Sequence, residues 1–201
     1  MSRLERAFFA RDTLVVARDL LGRHLVRVLE GERITGRIVE TEAYTGFDDQ
    51  ASHGRHGETA RNRPMFGQVG VSYVYFTYGM HWLLNVVARP EGAGYPAAVL
   101  LRAVEPLTGL DQIAARRDGR PPREWTNGPA KLTRAMDIDG GLSGVDVTAP
   151  GSPLCFEEGE PVPDEAVQTG PRVGLGSTPE PWLSMPWRFY VADNPYVSRH
   201  R

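Results

Sequence analysis

Long apolar runs and cysteines are the two features that this 201-residue sequence most clearly lacks. No apolar stretch approaches the ~20 residues of a membrane-spanning helix, which excludes a membrane span. The single cysteine, Cys155, excludes an internal disulfide and fits a reducing cytoplasm. The opening residues MSRLERAFFARD carry charges among their apolar residues and do not predict a signal peptide. We therefore expect a cytoplasmic protein with no membrane partner.

Lysine is almost absent as well, and the net charge is small. Lys131 is the only lysine among the 23 basic residues, and the formal net charge is −2. This balance does not by itself indicate a polyanion-binding protein, but the charges are unevenly distributed. Arginines are concentrated in residues 114–134, whereas acidic residues dominate 155–165. The asymmetry predicts a basic surface for nucleic acid and an acidic surface elsewhere. The alternative is an ordinary solvated arginine-rich loop.

Repeats, low-complexity tracts and linkers of distinct composition are also missing, so residues 1–201 are expected to form one domain. Consecutive strand patterns with short turns predict an α+β fold, in which helices pack on a curved, mostly antiparallel sheet. Asp12 is expected to cap a helix, and Gly22 to stop it. The predicted helices are residues 13–21, 106–117 and 129–136, and the predicted strands are residues 24–29, 33–44, 71–77, 81–88, 97–104, 145–148, 154–156, 172–175 and 188–191.

The segment RIVETEAY, residues 37–44, combines a strand pattern with two carboxylates. Side chains alternate between the two faces of a strand, so Ile38, Glu40, Glu42 and Tyr44 are predicted to share one face. Two carboxylates beside an apolar side chain and an aromatic ring suit a cleft in which one of them has its pKa adjusted for proton transfer. The alternative is an edge strand with a solvated acidic face.

The segment 71–87 predicts a protruding β-hairpin. Residues 71–77 and 82–87 are strand-like, and Tyr78-Gly79 lies where a tight turn would fall, with glycine supplying a positive φ. Tyr78 and Met80 would then project from the tip. An exposed aromatic ring needs a partner, and a stack of nucleic-acid bases is one candidate. The alternative is that Tyr78 folds back on the protein's own core.

Motifs that follow one another along the chain point to one family. They are ETEAY at 40–44 and a downstream histidine, RNRPMF at 61–66, YVYFTYGM at 73–80 with an asparagine five residues later, LLRAVEP at 100–106, NGPAKL at 127–132 and PRVGLG at 171–176. Together with FFARDTLVVARDLLG and WRFYVADNPYVS near the two ends, they resemble the alkyladenine (methylpurine, 3-methyladenine) DNA glycosylase family over residues 8–198. The resemblance implies that family's α+β fold, which is not the helix-hairpin-helix architecture of other glycosylases.

The resemblance also implies an activity in base excision repair. A monofunctional DNA glycosylase flips alkylated or deaminated purines out of duplex DNA, hydrolyses the N-glycosidic bond and leaves an abasic site. Glu42, the second glutamate of ETEAY, matches the catalytic base that activates water, and Glu40 is then expected to be structural. Arg102 matches an arginine that helps to position this water, and Val173 matches a residue whose backbone carbonyl contacts it. Duplex DNA with damaged purines is the expected partner, with a monomeric enzyme and no cofactor.

Further positions match the base pocket and the DNA wedge of that family. Tyr44 and Tyr75 match the aromatic pair that sandwiches the extruded base, and stacking of this kind tolerates different bases. The pocket boundary is matched by His53. A pocket asparagine that crowds the exocyclic amine of guanine is matched by Asn85, so part of the specificity would come from a clash. Tyr78 matches the intercalating tyrosine, and Met80 is expected to assist it. Outside the resemblance, the segment YVYF favours Tyr75 as a core residue.

Four alternatives remain open. A metal site could be built from His53, His56 and the neighbouring Asp48 and Asp49, but no second cluster supports it, and no metal is expected. A glycosylase that also nicks the strand needs an amine nucleophile, for which Lys131 is the only lysine available. A non-catalytic damaged-DNA-binding protein, or a hydrolase of free nucleosides, would use the same motifs differently.

Overall fold

The computed structural model describes residues 2–198. Within that range the chain forms eight strands in one sheet and four α-helices. The strands are β1 (His24–Leu29), β2 (Glu32–Thr45), β3 (Ser72–Thr77), β4 (His81–Val87), β5 (Ala97–Thr108), β6 (Leu154–Glu157), β7 (Val167–Gly170) and β8 (Arg188–Val191). The α-helices are α1 (Arg6–Phe9), α2 (Thr13–Asp19), α3 (Leu110–Arg116) and α4 (Pro129–Ala135), and short 3-10 helices span Arg63–Phe66, Pro122–Glu124, Gly140–Leu142 and Asp164–Ala166.

The sheet is antiparallel throughout and curls into a half-barrel around its longest strand. Its main path runs β3-β4-β5-β2-β1-β6, and β8 pairs with both β2 and β7. Strand β2 therefore has β5 along one side, and first β1 and then β8 along the other. The predicted α+β class and curved antiparallel sheet are confirmed. Because β2 lies inside the sheet, the edge-strand interpretation of its acidic residues is wrong.

Three register shifts interrupt the pairing of β2 with β5, and two of them, near Glu40, change which side chains share a face. The register passes from Ile38 opposite Val104 to Glu40 opposite Ala103, so Val39 is an extra residue in β2. The next step adds Arg102 as an extra residue in β5. A bulge interrupts the alternation of a strand. Ile38 consequently packs into the main core, and the prediction that it shares a face with Glu40 is wrong.

The helices pack against the core side of the sheet. Residues next to them in the sequence mark where they begin and end. Asp12 caps α2 by accepting hydrogen bonds from the backbone N–H groups of Leu14 and Val15, as predicted. Gly22 follows the helix with a φ of +85°, which glycine adopts without strain. Helix α4 begins at Pro129, a residue favoured in the first turn because its missing N–H would have no helical partner there. No helix within residues 2–198 is long and apolar enough to cross a membrane.

Several predicted elements are wrong, for both long-range and local reasons. The helix predicted from residue 106 begins only at Leu110, because β5 continues to Thr108 in register with β2. The predicted strand 145–148 is a turn in which the Asp146 side chain accepts bonds from Thr148. The predicted strand 172–175 belongs to an irregular loop. Helix α1 and strand β7 were not predicted.

The contact between β2 and β5 generates a stability prediction at Gly36. A Cβ atom added to Gly36 would lie 2.6 Å from Cγ2 of Val104, whose β-branched side chain is stiff and buried. We expect Gly36→Ala to lower the free energy of unfolding by about 1–3 kcal/mol, as overpacking typically does. Urea unfolding measures the change.

Gly94→Ala is the matched control for this substitution, since a Cβ atom at Gly94 would meet no atom within 4 Å. Its unfolding midpoint should equal or slightly exceed that of the wild type, because alanine restricts the unfolded chain. Equal midpoints for the two variants would contradict the close packing of β2 on β5.

Candidate active site

A cavity of about 540 Å³ opens between the β3–β4 hairpin and two irregular loops. We call residues 46–57 the His53 loop and residues 171–178 the Val173 loop. Apolar side chains line part of the wall. Leu83 and Leu100 come from the sheet, and Met65 comes from the 3-10 helix Arg63–Phe66. The predicted site residues that line the cavity are Tyr44, His53, Tyr75, Tyr78, Asn85, Arg102 and Val173.

Glu42 lies beneath this cavity, fully buried and held by three groups. Its Oε2 accepts a hydrogen bond of 2.7 Å from the Tyr44 hydroxyl. Its Oε1 accepts one of 2.7 Å from the backbone N–H of Val173 and lies 3.0 Å from Nη1 of Arg102. Tyr44 lies two residues from Glu42 on the same strand, whereas Arg102 and Val173 are 58 or more residues from Tyr44 in the sequence. All three nevertheless converge on the Glu42 carboxylate.

Burial raises the pKa of Glu42 above its ordinary value. Removal from water disfavours the charged form, while Arg102 and the hydrogen bonds from Tyr44 and Val173 favour it and offset part of the effect. A carboxylate with a raised pKa takes up a proton more readily than an ordinary one. The arrangement therefore suits Glu42 to act as a general base.

Glu40 has a different environment, although it is equally buried. It accepts bonds from Nε of Arg102 at 2.8 Å, from Nε of Arg188 at 2.7 Å, and from both the N–H and the hydroxyl of Ser198. Burial alone would raise the pKa of Glu40, but Arg102, Ser198 and Arg188 outweigh it, and the pKa is lowered. Glu40 stays ionised and holds Arg102, which agrees with the structural role expected for it.

An aromatic cluster forms one wall of the cavity. The rings of His53 and Tyr75 meet edge to face with centroids 4.6 Å apart, and Nδ1 of His53 lies 3.0 Å from the Tyr73 hydroxyl. Burial, assisted by Arg61 and Arg55, lowers the pKa of His53 to about 4. The imidazole is therefore neutral at physiological pH.

Two guanidinium groups lie over the tyrosines that were predicted to sandwich a base. The Arg61 guanidinium lies 5.1 Å from the centroid of Tyr75, and the Arg172 guanidinium lies 4.7 Å from that of Tyr44. Such cation–π contacts hold aromatic rings in fixed orientations. Neither Arg61 nor Arg172 has a role predicted from the sequence.

Asn85 is held in the cavity wall by its own strand partner. It lies opposite Tyr73 in the β3–β4 register, and its side-chain amide donates a hydrogen bond of 3.1 Å to the Tyr73 carbonyl. Only 4% of Asn85 is exposed. A polar group fixed in this way can accept or reject a neighbouring polar edge, but it cannot easily swing aside.

The hairpin tip presents two large apolar side chains to solvent. Thr77 pairs with His81, which leaves a three-residue turn at 78–80. Tyr78 and Gly79 both have a positive φ, which is costly for tyrosine and free for glycine. Tyr78 is 79% exposed and Met80 is 69% exposed. The predicted projection of both side chains is confirmed, and the alternative that Tyr78 folds back on the core is wrong.

Three of the four residues considered for a metal site are engaged elsewhere. Asp49 forms an ion pair with Arg172, His53 contacts Tyr73, and Nε2 of His56 accepts a bond from Arg55. Within residues 2–198 no group of three or more His, Cys, Asp or Glu side chains could hold a metal ion together. The arrangement shows no ligand set at this loop.

The acidic segment 155–165 forms ion pairs with three arginines. Glu157 makes two bonds of 2.9 and 2.8 Å to Arg33. Glu158 pairs with Arg23, and Asp164 pairs with Arg18. Much of this acidity is therefore neutralised locally.

Sequence reasoning missed several residues that build the site. Tyr73 could have been found from strand alternation, since it lies two residues before Tyr75 on β3. Arg188 and Ser198 leave no local signal, because they reach Glu40 only when β8 and the end of the described chain pack beside β2. Asp49 and Arg172 are likewise brought together only by the fold.

Comparison with known proteins gives a consistent result. The profile of the family described as methylpurine-DNA glycosylase (MPG) matches residues 7–195. A relative from Carboxydothermus hydrogenoformans is 47% identical over 196 residues, which cover 98% of each chain. Relatives from Methanocella arvoryzae and Streptomyces avermitilis are 48% and 46% identical, and each alignment covers 98% of this chain and 96% and 92% of the relative. All three are provisionally named 3-methyladenine DNA glycosylase.

The matched region includes the β2 strand, the β3–β4 hairpin and both loops of the cavity. The resemblance inferred from the motifs is therefore confirmed. The chain belongs to the methylpurine-DNA glycosylase family and is a DNA glycosylase.

Proposed function

We propose that this protein is a monofunctional enzyme that flips alkylated or deaminated purines out of duplex DNA and hydrolyses their N-glycosidic bond with a water activated by Glu42. The observation that carries the proposal is the position of Glu42, buried beneath an aromatic cavity beside the exposed hairpin tip. The product would be free base and an abasic site. The relatives' names, which specify 3-methyladenine, support a purine lesion as the substrate.

The buried position of Glu42 supports base flipping. Glu42 has no exposed surface, so a base still stacked in a duplex could not bring its sugar close to it. An extruded purine would enter the cavity between Tyr44 and Tyr75, next to His53. Tyr78, with Met80 beside it, would fill the gap left in the base stack, as wedge side chains do in other kinked or unstacked duplexes.

The hydrogen bonds of Glu42 indicate where the water would bind. Oε1 already accepts from Val173 and contacts Arg102, whereas Oε2 accepts only from Tyr44. A carboxylate oxygen has two acceptor positions, so Oε2 has one left for a water. The water attacks C1′ and gives its proton to Glu42, while the base leaves with the electron pair of the C1′–N bond. Arg102 and the Val173 carbonyl would orient the water.

The leaving base determines what else is needed. A cationic methylated purine departs neutral and needs no proton, whereas hypoxanthine must be protonated as it leaves. Asn85 would exclude normal guanine by crowding its exocyclic amine. A monofunctional mechanism is supported by Lys131, which does not line the cavity and whose ammonium donates a hydrogen bond of 2.8 Å to Asn127.

Two functions other than that of a DNA glycosylase would place different demands on these residues. A damaged-DNA-binding protein would use Tyr78 and the cavity but would not need the proton affinity of Glu42. A hydrolase of free nucleosides would need Glu42 but not an exposed hairpin tip. The substitutions below separate these cases, because each removes one feature and leaves the other in place.

Glu42→Gln should abolish base release while leaving the binding of lesion DNA intact. Glutamine keeps the size of the side chain but cannot take up the proton of water, and we expect a loss of about 100-fold or more in single-turnover rate. The assay is release of base from a duplex with one central hypoxanthine in EDTA, with strand breaks scored only after alkali. Glu157→Gln, which alters a carboxylate outside the cavity, is the control. Activity retained in Glu42→Gln would argue for a different base.

Tyr78→Ala should weaken excision from duplex DNA severely and leave protein stability unchanged, since the side chain is 79% exposed. A lost wedge contact of about 1–3 kcal/mol corresponds to roughly a 5- to 150-fold loss. Single-stranded substrate, which needs no wedge, should be much less affected. Leu110→Ala changes another exposed apolar residue, on α3, and controls for surface effects. Equal losses on duplex and single strand would count against intercalation.

The rate of release of a cationic methylated purine should rise with pH as Glu42 loses its proton. The midpoint should lie above about 4.3, the ordinary pKa of glutamic acid, because burial raises the pKa of Glu42. His53 should not contribute above about pH 5, since its pKa is about 4.

Tyr44→Phe tests this assignment, because it keeps the ring and removes one hydrogen bond to the carboxylate. A hydrogen bond to a charged group contributes about 1.5–3 kcal/mol, so the midpoint should move up by about one pH unit or more. A pH–rate profile of both proteins measures the shift. An unchanged midpoint would mean that the profile reports another group.

A further inference from the structure

The two loops that flank Glu42 lack regular secondary structure, yet each supplies part of the site. The His53 loop provides one wall of the cavity, and the Val173 loop provides the N–H that binds Glu42. Within the Val173 loop the backbone hydrogen bond from Thr178 to Leu175 is local. Something other than a strand ladder must therefore hold this loop against β2.

One ion pair joins the two loops across the site. Nη1 of Arg172 lies 2.6 Å from Oδ2 of Asp49, and Nη2 lies 2.8 Å from Oδ1, so the contact is bidentate. Both side chains are fully buried. Arg172 also donates to the carbonyls of Ala43 at 3.0 Å and Trp182 at 3.3 Å.

Each partner also fixes backbone next to a predicted site residue. The Asp49 carboxylate accepts bonds from the N–H groups of Thr45 and Ala51, which sets the start of the His53 loop. Arg172 immediately precedes Val173. Its bond to the Ala43 carbonyl attaches it to β2 between Glu42 and Tyr44.

Arg172 additionally lies between two aromatic rings. Its guanidinium is 4.7 Å from the centroid of Tyr44 and 4.9 Å from that of Trp187. The guanidinium thus contacts the ring whose hydroxyl binds Oε2 of Glu42, while the next residue binds Oε1. Arg172 is therefore connected to Oε2 of Glu42 through Tyr44 and to Oε1 through the backbone of Val173.

Stability alone does not account for such a pair. Removing two charges from water costs several kcal/mol per ion, and apolar residues of similar volume are often as stable or more so. What the pair adds is a fixed geometry, because a bidentate contact allows little rotation. We propose that Asp49 and Arg172 are positioning residues that set the Val173 N–H and the Tyr44 ring against Glu42. This inference rests on the proposed function.

The test compares Arg172→Lys with the wild type and with the control variant Glu157→Gln. Lysine keeps the positive charge but cannot form the bidentate contact or span both rings. We expect the single-turnover rate to fall by about 10-fold or more, because small misplacements of catalytic groups slow a reaction by such factors. The Kd for a duplex carrying an abasic-site analogue should be unchanged. Asp49→Asn, which preserves shape, should act in the same direction and replaces Arg172→Lys should that protein not fold.

The pH profile separates positioning from general loss of stability. With the Val173 N–H and the Tyr44 hydroxyl held less firmly, their hydrogen bonds to Glu42 weaken, and the midpoint for Glu42 should move to higher pH. The other charged groups that face Glu42, Arg102 and Glu40, are unchanged. The control is Glu157→Gln, which alters the ion pair that both Glu157 oxygens make with one nitrogen of Arg33 outside the cavity. Glu157→Gln should lose stability without a change in rate or midpoint.

The outcomes are distinct. A lower rate with a raised midpoint in the Arg172 or Asp49 variant, and neither in Glu157→Gln, supports the inference. An unchanged midpoint, or rate losses that merely follow the fraction unfolded, overturns it while leaving the proposed function in place. A wild-type protein that releases no base from hypoxanthine or methylated-purine duplexes overturns both.

Discussion

The bridge that Arg102 makes between two buried carboxylates is the constraint on which the site depends. Its Nε binds Glu40, its Nη1 contacts Glu42, and its Nη2 donates to Ser198. An uncompensated buried charge costs about 3–5 kcal/mol, so none of these groups can be removed alone without loss. Arg188 supplies the second positive charge that balances the two carboxylates. Strands β2, β5 and β8 must therefore come together before the charges can be buried.

The irregularities of the sheet follow from the same requirement. A regular β2 would place Ile38 on the face of Glu40, where an apolar side chain would compete with the ion pairs for space. The extra residue Val39 reverses the alternation, and the extra residue Arg102 restores the pairing with β5. Ile38 thereby joins the core, while Glu42 lies beneath the cavity. Bulges near active sites commonly re-aim side chains in this way.

The molecule separates rigid from exposed parts of the site. The proposed general base, Glu42, comes from the interior strand β2, part of the cavity wall comes from irregular loops held by side-chain contacts, and the proposed wedge residue stands at a hairpin tip. Tyr78 combines 79% exposure with a positive φ, and both are unfavourable for a tyrosine in isolation. A partner that covers the ring, such as a base stack, would offset that cost.

The fold class, the hairpin with its projecting tip, the capped helix after Asp12 and the family could all be predicted from the sequence alone. These depend on local patterns and on motifs that neighbouring residues spell out. Only the tertiary structure decided that β2 is interior and that residues 145–148 and 172–175 are not strands. It alone brought Asp49 to Arg172, and Arg188 and Ser198 to Glu40. The reason is physical: such contacts join residues distant in sequence, and their burial, which sets the pKa of Glu42, exists only once the sheet has closed around them.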